Sequence, residues 1–189
     1  MDNKTWFKQA GYGMMAHWGL YSLLAGEYRG RRVQDYAEWI QSFMAIPNEE
    51  YAQLAKCFNP VYFNADEWIS LAKDAGMEYM VVTSKHHEGF CMFDSQYTDY
   101  KCTNTPAGRD LVKEYVEAFR AEGLGVSAYF SKPDWHHDCY WRKEFGNPPY
   151  RNVNYDVNEH PELWEEFVQF VHRQLTELTT DYGKIDVLW

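Results

Sequence analysis

Four short apolar runs, separated by longer amphipathic stretches, restrict this chain more than any other feature. Tyr12 to Trp18, Tyr79 to Thr83, Val126 to Phe130 and Ile185 to Trp189 have the length and apolar density of buried strands. Helical spacing fills the gaps. Trp68, Leu71, Ala72 and Ala75 recur at i, i+3, i+4 and i+7 within the stretch from Ala65 to Ala75, and Gly76 is placed to stop the helix. Leu111, Tyr115, Val116 and Phe119 repeat the stripe between Asp110 and Glu122, ahead of Gly123. A longer pattern starts after His160-Pro161, runs through Leu163, Phe167, Phe170, Val171, Leu175 and Leu178, and closes near Tyr182-Gly183.

Strand alternating with helix calls for a parallel sheet, because each crossover helix returns the chain to the same edge. A doubly wound sheet and a (β/α)₈ barrel both satisfy this. No G-x-G-x-x-G or Walker pattern follows any of the four runs, which lowers the case for a nucleotide-binding sheet and favours the barrel. With 189 residues the chain has room for one domain or part of one. Its 46% apolar and 18% aromatic content is enough to pack a core. Residues 146–150, rich in proline, read as a long loop after the third strand.

Several function classes are disfavoured. A formal net charge of −10, with no basic cluster beyond Arg29-Gly30-Arg31-Arg32, argues against a counterion-releasing grip on nucleic acid, and that short stretch reads as a solvated loop. Cys57, Cys91, Cys102 and Cys139 show no C-x-x-C pairing and read as reduced thiols. The N-terminus has no signal-peptide core and no apolar run reaches membrane-spanning length, so a cytoplasmic protein without membrane association is the expectation.

Residues with chemical capacity gather just after the proposed strands, where parallel barrels build their active sites. These are His17-Trp18-Gly19, Lys85-His86-His87-Glu88-Gly89-Phe90, the stretch from Tyr129 to His137, and Trp189. Five of the seven histidines, His17, His86, His87, His136 and His137, lie in these segments, which predicts a common pocket. Imidazole and indole groups bind hydroxyls while their rings cover apolar faces, so the set suits a neutral sugar. A metal centre is the competing use. It is disfavoured because adjacent His86 and His87 in extended backbone would point apart and no H-x-H or H-E-x-x-H occurs. Trp18, Trp39 and Trp135 fit a core or a rim equally, Trp68 fits a core, and Glu38 alone reads as a solvated carboxylate.

These motifs together resemble the N-terminal part of the catalytic domain of α-L-fucosidases, glycoside hydrolase family 29. The resemblance runs from the segment Met14 to Ser22 through Glu38-Trp39, Phe58-Asn59-Pro60, Phe63 to Trp68 and Leu71 to Gly76. It continues through the Lys85 to Phe90 block, Tyr129-Phe130-Ser131, Asp134-Trp135 and the terminal Tyr182 to Trp189 segment. It implies a (β/α)₈ TIM-like barrel, with only about the first four β/α units in residues 1–189, and a retaining hydrolase acting on a fucosylated oligosaccharide or glycoconjugate. It implies that His17, Glu38, Trp39, His86, His87 and Tyr129 line the fucose subsite with Trp189 on its wall, and that neither metal nor cofactor is needed. The family's nucleophile, an aspartate shortly after the tryptophan matching Trp189, and its acid/base glutamate have no counterpart in these 189 residues. No catalytic residue is therefore assigned, and the chain is expected to be a fragment without turnover whose outer strands favour association through exposed barrel edges. Glu88 stands where the family often has aspartate. A non-catalytic fucose-binding half-barrel and a metal-dependent barrel hydrolase using His17, His86 and His87 are the alternatives.

Overall fold

In the computed structural model, which describes residues 2–146 and 151–189, the four apolar runs become the strands of one sheet. They are β1 (Gly13–Ala16), β2 (Tyr79–Lys85), β3 (Gly125–Phe130) and β4 (Val187–Leu188), hydrogen-bonded in the order β1-β2-β3-β4. Every neighbouring pair is parallel, with Gly13 opposite Tyr79, Tyr79 opposite Gly125 and Ser127 opposite Val187. Helices make the returns: α1 (Asn3–Gln9) precedes β1, and α2 (Ala65–Asp74), α3 (Leu111–Ala121) and α4 (Pro161–Thr180) join successive strands. This is the repeating unit of an α/β barrel, present here as part of one. Of the loop expected at 146–150, all but Gly146 lies outside the described residues.

Local chemistry explains the helix boundaries. The Asn64 side chain accepts from the Asp66 N–H at the start of α2, and Asp110 accepts from the Lys113 N–H at the start of α3. Gly76 and Gly123 follow the two helices with φ of 73° and 72°, a left-handed conformation that glycine adopts without a Cβ clash. Pro161 opens α4, where its missing N–H costs nothing.

Packing follows the predicted stripes for α3 and α4 but not for α2. Leu111, Tyr115, Val116 and Phe119 are all buried, and the Tyr115 hydroxyl reaches the carbonyls of Met80 and Ser127, tying α3 to both β2 and β3. On α2 the buried residues are Ala65, Ile69 and Ala72, while Leu71 is 62% exposed and Ala75 is exposed. The spacing expected there is correct but the stripe starts three residues earlier, at Ala65, and Ala65, Trp68, Ile69 and Ala72 complete the same i, i+3, i+4, i+7 pattern on a rotated face. Trp68 is half-buried against Trp18 and Phe63, with ring centroids 5.8 and 5.1 Å away.

The basic stretch is a hairpin, not a loop. Glu27–Tyr28 pairs antiparallel with Arg31–Arg32, and Arg29 and Gly30 both take positive φ in the turn between them. All four cysteines are free thiols, Cys57 exposed and the others buried. Among the described residues, no helix is long and apolar enough to cross a membrane.

Candidate active site

β2 is buried along almost its whole length and delivers Lys85 into the core, with none of its surface exposed. Its ammonium meets Asp134 at 2.9 Å, Asp134 being 2% exposed, and lies 4.4 Å from the Phe130 ring centroid. A buried ion pair survives only where its remaining valences are filled. Asp134 Oδ1 accepts from the N–H groups of both His136 and His137 at 3.0 Å. Burial raises this carboxyl, but the ammonium beside it prevails and holds it below the usual carboxylate range. The same oxygen would lie 2.3 Å from a Cβ at Gly89, so the loops after β2 and β3 meet where only glycine fits.

Above this anchor the strand ends carry a continuous set of rings. His17, just past β1, lies 5.4 Å from His86 and 5.3 Å from Tyr129, centroid to centroid. His86 stacks on Tyr129 at 5.6 Å and meets His87 edge-on at 4.5 Å. Trp39 joins from the β1–β2 crossover, 4.8 Å from His87. Glu38, half-buried in the turn Ala37–Trp39, sits beside Trp39 in sequence and makes no hydrogen bond to the cluster among the described residues. Trp189 follows β4 and is held by its backbone, donating to Ala128 C=O at 2.8 Å and accepting from the Phe130 N–H at 3.0 Å, and the residue is 58% exposed. Its indole makes no ring contact with the cluster among the described residues.

Two expectations are corrected here. His86 and His87 do not point apart: β2 ends at Lys85, and a tight turn closed by Gly89 N–H to His86 C=O at 3.0 Å swings both rings to one side. His136 and His137 do not enter the common pocket, because their backbone N–H groups turn in toward Asp134 and send the rings outward. His136 stacks on Tyr100 at 4.0 Å and lines a separate cavity of about 640 Å³ with Asn48 and Arg142, while His137 packs on Phe170 at 4.3 Å. Glu88, by contrast with the half-buried Glu38, is buried at 1% exposure and hydrogen-bonded to Leu20 and Tyr51. Two rings outside the expected fucose subsite join the cluster. Trp135 stacks on His87 at 5.2 Å, and the strand-end rule that selected Tyr129 applies to it as well. Tyr21 lies 5.3 Å from His86, and nothing in its sequence context signals that.

Burial sets the protonation of the cluster. Desolvation, reinforced by neighbouring His87 and His17, drives His86 far below the usual imidazole value, and desolvation together with Lys85 brings His87 down to about 4. Both are neutral near neutral pH, each offering one donor and one acceptor. Nδ1 of His86 and Nδ1 of His87 are buried without a hydrogen-bond partner among the described residues. Leaving such a group unpaired costs about 1–3 kcal/mol, which a polar ligand can recover. Among the described residues no three His, Cys, Asp or Glu side chains converge as a metal ion would require. The arrangement suits an uncharged ligand with hydroxyls at its edges and C–H groups on its faces.

Comparison with known proteins gives this geometry a lineage. The family model for α-L-fucosidase matches residues 1–189. The chain belongs to the α-L-fucosidase family. Alpha-L-fucosidase 1 of Arabidopsis thaliana is 33% identical over 135 residues, covering 70% of this chain and 22% of that protein. Among solved structures, the unliganded α-L-fucosidase AlfC from Lactobacillus casei is 42% identical with a TM-score of 0.86, over 99% of this chain and 59% of that one. An α-L-fucosidase from Bacteroides thetaiotaomicron is 35% identical with a TM-score of 0.89, over 99% and 40% respectively. The chain thus spans under two thirds of the length of each relative.

Proposed function

We propose that this chain forms the L-fucose-holding wall of a retaining α-L-fucosidase barrel that hydrolyses terminal α-L-fucosides of oligosaccharides or glycoconjugates. The observation that carries the reading is the contact of His17, His86, His87 and Tyr129 at one strand-end mouth, with two neutral imidazoles holding unpaired nitrogens. His17, His86 and His87 bind the hydroxyls, Tyr129 and Trp39 cover the ring faces, and Glu38 accepts from a hydroxyl at the rim. Trp189 walls the open side. The AlfC relative has been solved with α-L-fucose product and, in a variant, with Fucα(1,6)GlcNAc, which supports a fucoside as the ligand class.

Retention uses a nucleophilic carboxylate and an acid/base carboxyl about 5–5.5 Å apart across the glycosidic bond. Neither Asp134 nor Glu88 is free for such a role, since one neutralises Lys85 and the other binds Leu20 and Tyr51. Glu38 by itself does not make a pair. The chemistry is therefore assigned to carboxylates outside these 189 residues, and the outer strands β1 and β4 to contact with further strands. Met15, Leu188 and Trp189, at 37%, 46% and 58% exposure, are the apolar groups such strands would cover.

Calorimetric titration of L-fucose into the chain tests this directly. Binding is expected, and H86A should weaken it by roughly tenfold or more, the effect of one or two hydrogen bonds. Hydrolysis of 4-nitrophenyl α-L-fucoside by the chain alone should stay at background. Absence of L-fucose binding refutes the sugar site, and turnover by the chain refutes the placement of the carboxylates.

A further inference from the structure

Glu88 lies between three segments that together carry the ring cluster. Its Oε1 accepts from the Leu20 N–H at 2.9 Å, in the loop that begins with His17. Its Oε2 accepts from the Tyr51 hydroxyl, at the end of the helical turn Asn48–Tyr51, downstream of Trp39. Glu88 itself follows His86 and His87 within the tight turn that ends β2. A Cβ at Gly19 would stand 2.2 Å from Oε1, so the glycine of His17-Trp18-Gly19 provides the space in which the carboxylate sits. Such a buried group is costly unless its acceptor sites are filled by donors, and here both oxygens are.

We propose that Glu88 is a positioning residue: by bonding Leu20 and Tyr51 it locks the loop after β1 and the crossover behind it onto the loop after β2, fixing the separation of His17 from His86 and His87. The link from this clamp to sugar affinity rests on the fucose-binding reading above. The clamp itself does not. Removing it should let the β1 loop drift from the imidazoles while leaving the helix-packed core in place, since Glu88 is not among the groups that bind α3 or α4.

Two measurements on the chain separate these claims: ring-to-ring nuclear Overhauser contacts between His17 and His86 without sugar, and calorimetric titration of L-fucose. E88A should lose the His17–His86 contacts and bind L-fucose roughly tenfold more weakly, the effect of one charge-assisted hydrogen bond. The contact between Tyr115 and Phe119, whose rings lie 4.7 Å apart, should persist as the reporter of the core. E88Q should keep both properties, its amide oxygen accepting from Leu20 and its NH₂ donating to the Tyr51 oxygen. Unchanged His17–His86 contacts in E88A, or equal losses in E88A and E88Q, overturn the proposal. Should E88A lose the Tyr115–Phe119 contact, Y51F decides, with a partial loss expected and no change overturning it. If the wild-type chain binds no L-fucose while the ring contacts still respond to E88A, the sugar reading fails and the clamp stands.

Discussion

At the start of the strands, Trp6 and Phe7 of α1 pack on Tyr79 with ring centroids 6.1 and 5.4 Å away, and at the end of the same strands His17, His86, His87 and Tyr129 crowd together at similar distances. Both clusters are aromatic and both lean on glycine. A Cβ at Gly125 would stand 2.2 Å from the Trp6 ring, and one at Gly13 would stand 2.4 Å from the Tyr79 ring. The lower cluster is closed by apolar contact. The upper one leaves imidazole nitrogens unpaired and is held up from beneath by Lys85, Asp134 and Glu88. Equal ring density therefore serves packing at one end and recognition at the other, and unfilled hydrogen bonds tell them apart.

The largest effect expected on this contrast comes from K85A, which leaves Asp134 buried without its cation. Denaturant unfolding should show a loss of about 3–5 kcal/mol. A midpoint unchanged from wild type would mean that the upper rings support themselves. Next, G125A forces the Trp6 ring aside at the lower end and should cost about 1–3 kcal/mol, with L-fucose affinity unaltered. Affinity falling alongside stability would show that the two ends are not independent.

The smallest effect is in pH dependence. The unfolded imidazoles titrate near 6.5, while burial holds His87 near 4 and His86, His136 and His137 below their ordinary value. Unfolded chains then bind more protons as pH falls through 6.5, and stability declines on acidification. Glu88 opposes this. Its ordinary value is 4.5, and burial raises it to about 7, so its contribution is full below 4.5 and is lost as pH rises through 7. Removing that opposition in E88Q should steepen the acid loss between pH 4.5 and 6.5 by one proton, about 1.4 kcal/mol per pH unit. Parallel stability curves for E88Q and wild type would place the Glu88 carboxyl in water.

The sheet was readable because its strands are buried runs between helices whose stripes and caps are local. The α2 stripe was misphased because Leu71 fits the spacing as well as Ile69 does, and only contact with the sheet chooses between them. His17, His86, His87 and Tyr129 were recognisable from their place after strands. Their actual meeting, and the departure of His136 and His137, depend on a turn closed by Gly89 and on Asp134 gathering backbone N–H groups. Those are tertiary events without a periodic signature. Glu88 and Asp134 illustrate the limit most clearly: neither carboxylate carries a burial or spacing signal in sequence, and their partners Leu20, Tyr51 and Lys85 become evident only in space.

Because β1, β2, β3 and β4 neighbour one another in chain order, each strand emerging from the ribosome finds its pairing edge already laid down. Such an order allows the sheet to grow vectorially, since none of these four strands has to be inserted between two that already pair.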